Sequence, residues 1–241
     1  MFQPVTTGRD GKVIDPKKKE FAWSYSRLKN YRACPKKHYH VDIAKDFKEP
    51  EGEALTRGNE IHKAMADRVA KGKPLPPLLA EFEPDAESVL SSVRPGDLLL
   101  VEQNIAIKRD FTAAGYFEPG VWYRAKSDVV KVRDDVAAAI DWKTGKIQED
   151  NIQLALMAAC IFAAYPKVQK ILTRYVWLGN HAKTDLFLAR ADMVKLWNSL
   201  LPEVAGYEEA VKMTNFPPKP GGLCRAYCPV TSCPYHGKGN R

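Results

Sequence analysis

Apolar and polar positions divide the chain into a helical first third and a strand-rich middle. Ser24 to Ala33 reads as a helix, with Ser24 or Ser26 able to cap it and Pro35 ending it. Past a charged loop from Lys45 to Glu53, Leu55 to Val69 forms a second helix, which the Pro-rich Lys73 to Pro77 closes. Asp85 to Val93 predicts a short third helix. The period then changes. Leu98 to Ile107, Val121 to Val132 and Val136 to Trp142 are rich in apolar and β-branched residues with turn signals between them, which predicts a three-stranded meander. Ile152 to Ala164 is an apolar helix, Lys170 to Leu178 and Thr184 to Leu188 are further strands, and Ala191 to Met213 is a last long helix. The order α-β-β-β-α-β belongs to an α/β fold with a mixed central sheet flanked by helices.

The strand Val136 to Trp142 carries the most pointed local chemistry. Its small and apolar residues give way abruptly to Asp141-Trp-Lys143-Thr-Gly. Side chains two apart on a strand share a face, so Asp141 and Lys143 point together and the Trp142 ring points away. A carboxylate and an ammonium at a strand end suit a divalent cation with a water steadied beside it. The preceding strand bears Asp128, and a hairpin turning at Asp134-Asp135 makes 128 and 141 near cross-strand neighbours. Two carboxylates that close repel unless a cation lies between them. If they instead face apart, Lys126 and Lys143 are their natural partners. His62 lies on the second helix four residues after Gly58, where a missing side chain lets the helix approach the sheet. Glu60 reads as a solvated acid. Gln153 opens the helix after the key strand, in reach of a phosphate or water.

Composition narrows the setting. With 241 residues and 45% hydrophobic content, the chain can bury one full core. Lys and Arg outnumber Asp and Glu by 37 to 29, a net charge of +8 that favours polyanionic partners. Met1 to Glu20 is polar and Lys-rich, without the apolar core of a secretory signal, and reads as a flexible arm. Leu154 to Tyr165 is too short to span a bilayer, so no membrane role is expected. Five cysteines, an odd number, point to a reducing compartment such as the cytoplasm.

In order, Gly58-x-x-x-His62, Asp128, Asp141-x-Lys143-Thr-Gly and Gln153 resemble the PD-(D/E)XK nucleases, specifically the RecB-like exonuclease branch. Ser24-Tyr-Ser-Arg-Leu-x-x-Tyr31-x-x-Cys34-Pro35 is similar to that branch's N-terminal helix. Two positions depart from its pattern: Ala125 stands where a Gly precedes the first acid, and Met157 where a Tyr follows Gln153. The resemblance implies a Mg²⁺- or Mn²⁺-dependent DNA nuclease acting on free or single-stranded ends. It implies a place in recombination, repair or phage replication, within a larger complex, in the cytoplasm of the cell or of a phage's host. It assigns Asp128, Asp141, His62 and the Trp142 carbonyl to the metal. Lys143 falls to the attacking water and the transition-state charge, and Gln153 to the nucleophile or backbone. Arg124 and Lys126 fall to phosphate contacts. Two other classes stay open: a nuclease-fold accessory that binds DNA without cutting, and a zinc-binding interaction protein.

The Pro-rich tail holds Cys224-x-x-x-Cys228-x-x-x-x-Cys233, with Cys34 far upstream. Thiolates so spaced suit an iron–sulfur cluster or zinc. The set resembles the [4Fe–4S] nucleases of the AddB and CRISPR-associated type, which pair one early Cys with three late ones. The alternative is Zn²⁺ held by Cys224, Cys228, Cys233 and His236, leaving Cys34 out. Cys160, on an apolar helix, reads as core. The expected division is an arm over residues 1–20, a nuclease domain over 21–215 and a Cys-rich tail over 216–241.

Overall fold

The computed structural model describes residues 20–50 and 52–238, so the expected N-terminal arm lies, except for Glu20, outside the described residues. Ser24 caps α1 (Tyr25–Ala33) by accepting from the Arg27 N–H. Cys34 is extended (φ −162°, ψ 108°), and Pro35 does not simply end the helical region but starts α2 (Pro35–His38). Proline suits a first helical position because its missing N–H has no partner there anyway. A single π-helical stretch, Tyr39–Ile43, follows. α3 (Glu53–Lys71) closes on Gly72 in the left-handed region at φ 67°. The third predicted helix starts earlier than expected, as α4 (Glu83–Leu90) following a 3-10 stretch over Pro77–Phe82.

Among the described residues six strands form one sheet, in the order β2-β1-β3-β4-β5-β6. They are β1 (Leu98–Lys108), β2 (Ala113–Ala114), β3 (Val121–Arg133), β4 (Val136–Lys143), β5 (Lys170–Trp177) and β6 (Ala182–Ala189). β2 spans two residues, too few for a period to announce it. Of these six strands, β4 and β5 are the pair that runs parallel, joined by the crossover helix α5 (Ile152–Ala164); α6 (Asp192–Met213) follows β6. A parallel pair requires such a crossover, and it delivers the start of α5 beside the end of β4.

Each sheet face is covered. α5 packs on one, flanked by α1 and α6 through Leu28, Leu156, Trp197, Leu200 and Tyr207. On the other, Ile61, Met65 and Val69 of α3 and Phe82 and Val89 meet Val129, Trp142 and Val176. The tail lies against the α1–α2 junction: Lys36 N–H donates to the Pro217 carbonyl at 3.3 Å, and Lys219 Nζ to the Arg32 carbonyl at 2.8 Å. No described helix is long and apolar enough to cross a membrane.

Candidate active site

β3 and β4 pair from Val129↔Ile140 to Arg133↔Val136, and continuing that register sets Asp128 opposite Asp141. Both carboxylates are buried, each 6% exposed. Asp128 Oδ2 accepts the Trp142 backbone N–H at 2.7 Å, which locks its carboxylate to the strand it faces. Asp128 Oδ1 lies 3.1 Å from His62 Nδ1. Lys143 Nζ contacts Asp141 Oδ2 and donates to Gln153 Oε1 at 3.1 Å. Asp128 makes no bond to Lys126, whose ammonium contacts Glu102 instead. As strand parity requires, the Trp142 ring points to the opposite face, buried among α3 and α4 side chains.

α3 brings His62 in because Gly58 lets it come close. A Cβ at Gly58 would lie 3.1 Å from Thr144 Oγ1, at the end of β4. One turn later His62 projects toward the same strand ends. Glu60 is solvent-exposed and outside the group.

Burial pushes the Asp141 carboxyl up to about 6, reinforced by the Asp128 charge and opposed by Lys143. The hydrogen bond to Asp128 raises His62, against burial that would lower it. Asp141 Oδ2 is buried, with the Lys143 ammonium as its partner. Its neighbours thus supply charge and little solvation, which a hard cation with oxygen ligands would correct. Among the described residues no three His, Cys, Asp or Glu side chains converge as a ready-made metal cage. Both Asp128 oxygens are engaged, so holding a metal calls for a shift of the His62–Asp128 pair.

Two contributors escaped the sequence reading. Tyr175 of β5 stands opposite Asp141 in the parallel register, donates to Gln153 Oε1 at 3.4 Å and presents its ring 4.8 Å from Lys143 Nζ. It supplies a hydroxyl and an aromatic face near Gln153, the groups that Met157 lacks. Glu102 sits within β1 at φ 55°, where the pairing passes from Val101↔Val129 to Gln103↔Ser127. A non-glycine residue there is strained, and such strain concentrates at functional sites. An acid interrupting Leu98-Leu-Leu-Val101 was the available signal.

His62, Glu102, Asp128, Asp141 and Gln153 border a cleft of about 870 Å³, together with Ser24, Tyr116 and Arg124. Arg124 Nε donates to the Tyr116 carbonyl at 2.7 Å, and its guanidinium lies 5.8 Å from the Tyr116 ring centroid.

Cys34, Cys224, Cys228 and Cys233 border one small cavity, with His236 on its wall. Backbone N–H groups of Lys219 and Gly221 approach the Cys34 and Cys224 sulfurs at 3.4 Å. All four thiols are free and partly exposed; Cys160 is fully buried in α5, where burial pushes its thiol up.

Among solved structures, SSO0001 is similar at 16% identity and TM-score 0.41, covering 91% of this chain and 89% of that one. A Eubacterium rectale protein described as "Putative exonuclease" matches at 11% identity and TM-score 0.48, with the same coverages of 91% and 89%. LHK-Exo, solved in complex with dAMP, matches at 13% identity and TM-score 0.34, covering 80% of this chain and 91% of that one. No curated protein sequence matches. The profile of the PD-(D/E)XK nuclease superfamily matches residues 22–234, nearly the whole of the described chain, and the chain belongs to that superfamily.

Proposed function

We propose that this protein is a divalent-metal-dependent DNA nuclease that hydrolyses phosphodiester bonds at DNA ends. The observation that carries this reading is the convergence of His62, Asp128, Asp141 and Gln153 on one cleft, with Lys143 at the end of β4 in contact with both Asp141 and Gln153. Asp128, Asp141, His62 and the Trp142 carbonyl would hold Mg²⁺ or Mn²⁺; a nitrogen ligand shifts preference toward Mn²⁺. A divalent ion there would polarise the scissile phosphate and lower the pKa of a nearby water, so that hydroxide is available near neutral pH.

The chain's own residues do the rest. Lys143, held by Gln153 and Asp141, places a fixed positive charge where negative charge grows on the phosphate oxygens. Gln153, supported by Tyr175, orients the nucleophile or the backbone. His62, charged more readily than a free imidazole, adds positive potential beside Asp128. Arg124 and Lys126 give the cleft sequence-independent phosphate contacts, so binding weakens steeply with salt.

The tail, over residues 216–238, serves as a structural clamp in this reading, with Cys34, Cys224, Cys228 and Cys233 holding a [4Fe–4S] cluster. Cys34 on the shared cavity supports the cluster over Zn²⁺, because a Cys₃His zinc site leaves it out. Brown anaerobic protein with broad absorption near roughly 400 nm supports the cluster; colourless protein with stoichiometric zinc replaces it.

Digestion of end-labelled single- and double-stranded DNA with Mg²⁺ or Mn²⁺ tests the function. Products from the wild type, and none from Asp141→Ala or Lys143→Ala that still bind DNA, are expected. DNA binding without cutting by the wild type makes the chain an accessory. Cutting that survives both substitutions refutes the site.

A further inference from the structure

The turn Gly115–Gly120, between β2 and β3, holds an aromatic pair that neither the core nor the proposed chemistry uses. Phe117 is 86% exposed, and its ring meets that of Tyr116 edge-on at 5.0 Å. The turn is fixed. Glu118 N–H donates to the Gly115 carbonyl at 2.9 Å, Glu118 Oε2 accepts the Gly115 N–H at 2.9 Å, and Glu118 Oε1 pairs with Lys108 at 2.6 Å. Gly120 completes it at φ 80°, a left-handed conformation that suits glycine, with its N–H bonded to Glu20. Arg124 pins Tyr116 from below by a hydrogen bond and by its guanidinium over the ring. Tyr116 and Arg124 border the same cleft as Asp128 and Asp141.

A single exposed Phe on a protein surface is ordinary. Three things set this one apart: the turn beneath it is rigid, its aromatic partner lines the cleft, and the cleft's cations Arg124 and Lys126 suit a phosphate backbone. Aromatic rings beside cations are how proteins take up unpaired nucleobases: each base stacks on a ring while its phosphate meets a charge, with little regard to sequence. The interior of a duplex offers no such face, since its bases already stack on one another.

We propose that Tyr116 and Phe117 form a stacking platform for unpaired bases of the DNA strand entering the cleft. The proposal rests on the cleft being a DNA site and sharpens the substrate to single-stranded or frayed ends. Phe117 touches the strand and not the reacting phosphate, so it governs substrate binding and strand preference.

The test uses the full chain carrying Asp141→Asn, which binds without cutting, and single-stranded DNA with 2-aminopurine at successive positions from one end. Binding is expected to quench fluorescence at one or two adjacent positions. Phe117→Ala should abolish that quench and weaken single-strand binding roughly ten- to a hundredfold, with little change on blunt duplex. Phe117→Trp should keep both, and unchanged melting should show that the exposed ring does not hold the fold. Equal single-strand affinity with and without Phe117, or an equal loss on both substrates, overturns the platform. Digestion by the enzyme with native Asp141 separates the two ideas. If it cuts and Phe117→Ala cuts single strands with unchanged KM, the platform fails alone; if it cuts nothing, the nuclease reading fails while the quench still reports stacking.

Discussion

Asp141→Asn is expected to make the metal-free protein more stable at neutral pH. Asp141 is buried, and that burial lifts its carboxyl from 3.8 to about 6 despite the Lys143 ammonium on its Oδ2. The folded protein therefore keeps this proton to a higher pH than the unfolded chain does. Between the ordinary carboxylate range and about pH 6 the folded state binds more protons, so stability falls as pH rises through that window. A rise of roughly two units, at about 1.4 kcal/mol each, sets a ceiling near 3 kcal/mol. That rise already includes the opposing Lys143 attraction, so the expected gain is about 1–3 kcal/mol, the lower end reflecting the altered hydrogen bonding of the amide. For a domain of this size that is a Tm higher by roughly 2–10 °C. Thermal unfolding in EDTA at pH 7.5 and pH 4.5 measures it: the gap between variant and wild type should be full at the first and shrink to roughly a third of that at the second. Mn²⁺ should raise the wild-type Tm and leave the variant's alone. An Asn variant less stable than wild type at pH 7.5, or a gap of equal size at both pH values, would refute the reasoning.

The other expectations concern neighbours of this group. Asp128→Ala should be less stable than Asp128→Asn by about 1–3 kcal/mol in urea unfolding, because both remove the charge but only alanine leaves the buried Trp142 N–H without an acceptor. Asp42 feels burial, which alone would raise its carboxyl, but hydrogen bonds from His38 and Asn30 outweigh that and hold it below the ordinary value. Its stabilising contribution is complete above the ordinary carboxylate range and lost as pH falls through the lowered value. Asp42→Asn should flatten the acid limb of a stability–pH curve, and a limb as steep as wild type's would exclude this role. Gly58→Ala brings a Cβ within 3.1 Å of Thr144 Oγ1, next to Lys143. Helix propensity gains up to about 1 kcal/mol, so Tm should hold while turnover drops severalfold, and the added Thr144→Gly should restore turnover.

The hairpin was the most legible part of the site, because a two-residue turn and a strict period of two leave no freedom in register. Asp128 faces Asp141 for that reason alone. The position of Gly58 was legible on a similar ground: a residue lacking Cβ on a helix facing a sheet marks a close approach. Tyr175 was hidden because parallel pairing depends on how α5 crosses over, and no local pattern sets that distance. Glu102 was hidden because its left-handed backbone is imposed by the tertiary environment, against the preference of glutamate and of the strand around it. Pro35 misled by its dual nature, ending one helix and opening the next.

The tail and the cleft are mechanically linked through α1. Cys34 closes that helix and faces the tail cysteines, while Lys219 reaches back to Arg32. At its other end Trp23 bridges to Tyr123 of β3, donating its N–H to the Trp122 carbonyl at 2.9 Å, and Tyr25 contacts Asp150 just before α5. Ser24 and Tyr25 then border the cleft itself. Ordering of the tail on Cys34 therefore bears on the strand that carries Asp128 and on the helix that carries Gln153, through one short rigid element. Loss of Cys34 should loosen both at once. Cys34→Ser is expected to raise hydrogen exchange across α1 and the start of α5 as well as in the tail. Exchange that rises in the tail alone would show the cysteine cavity to be a local clasp, with no hold on the candidate site.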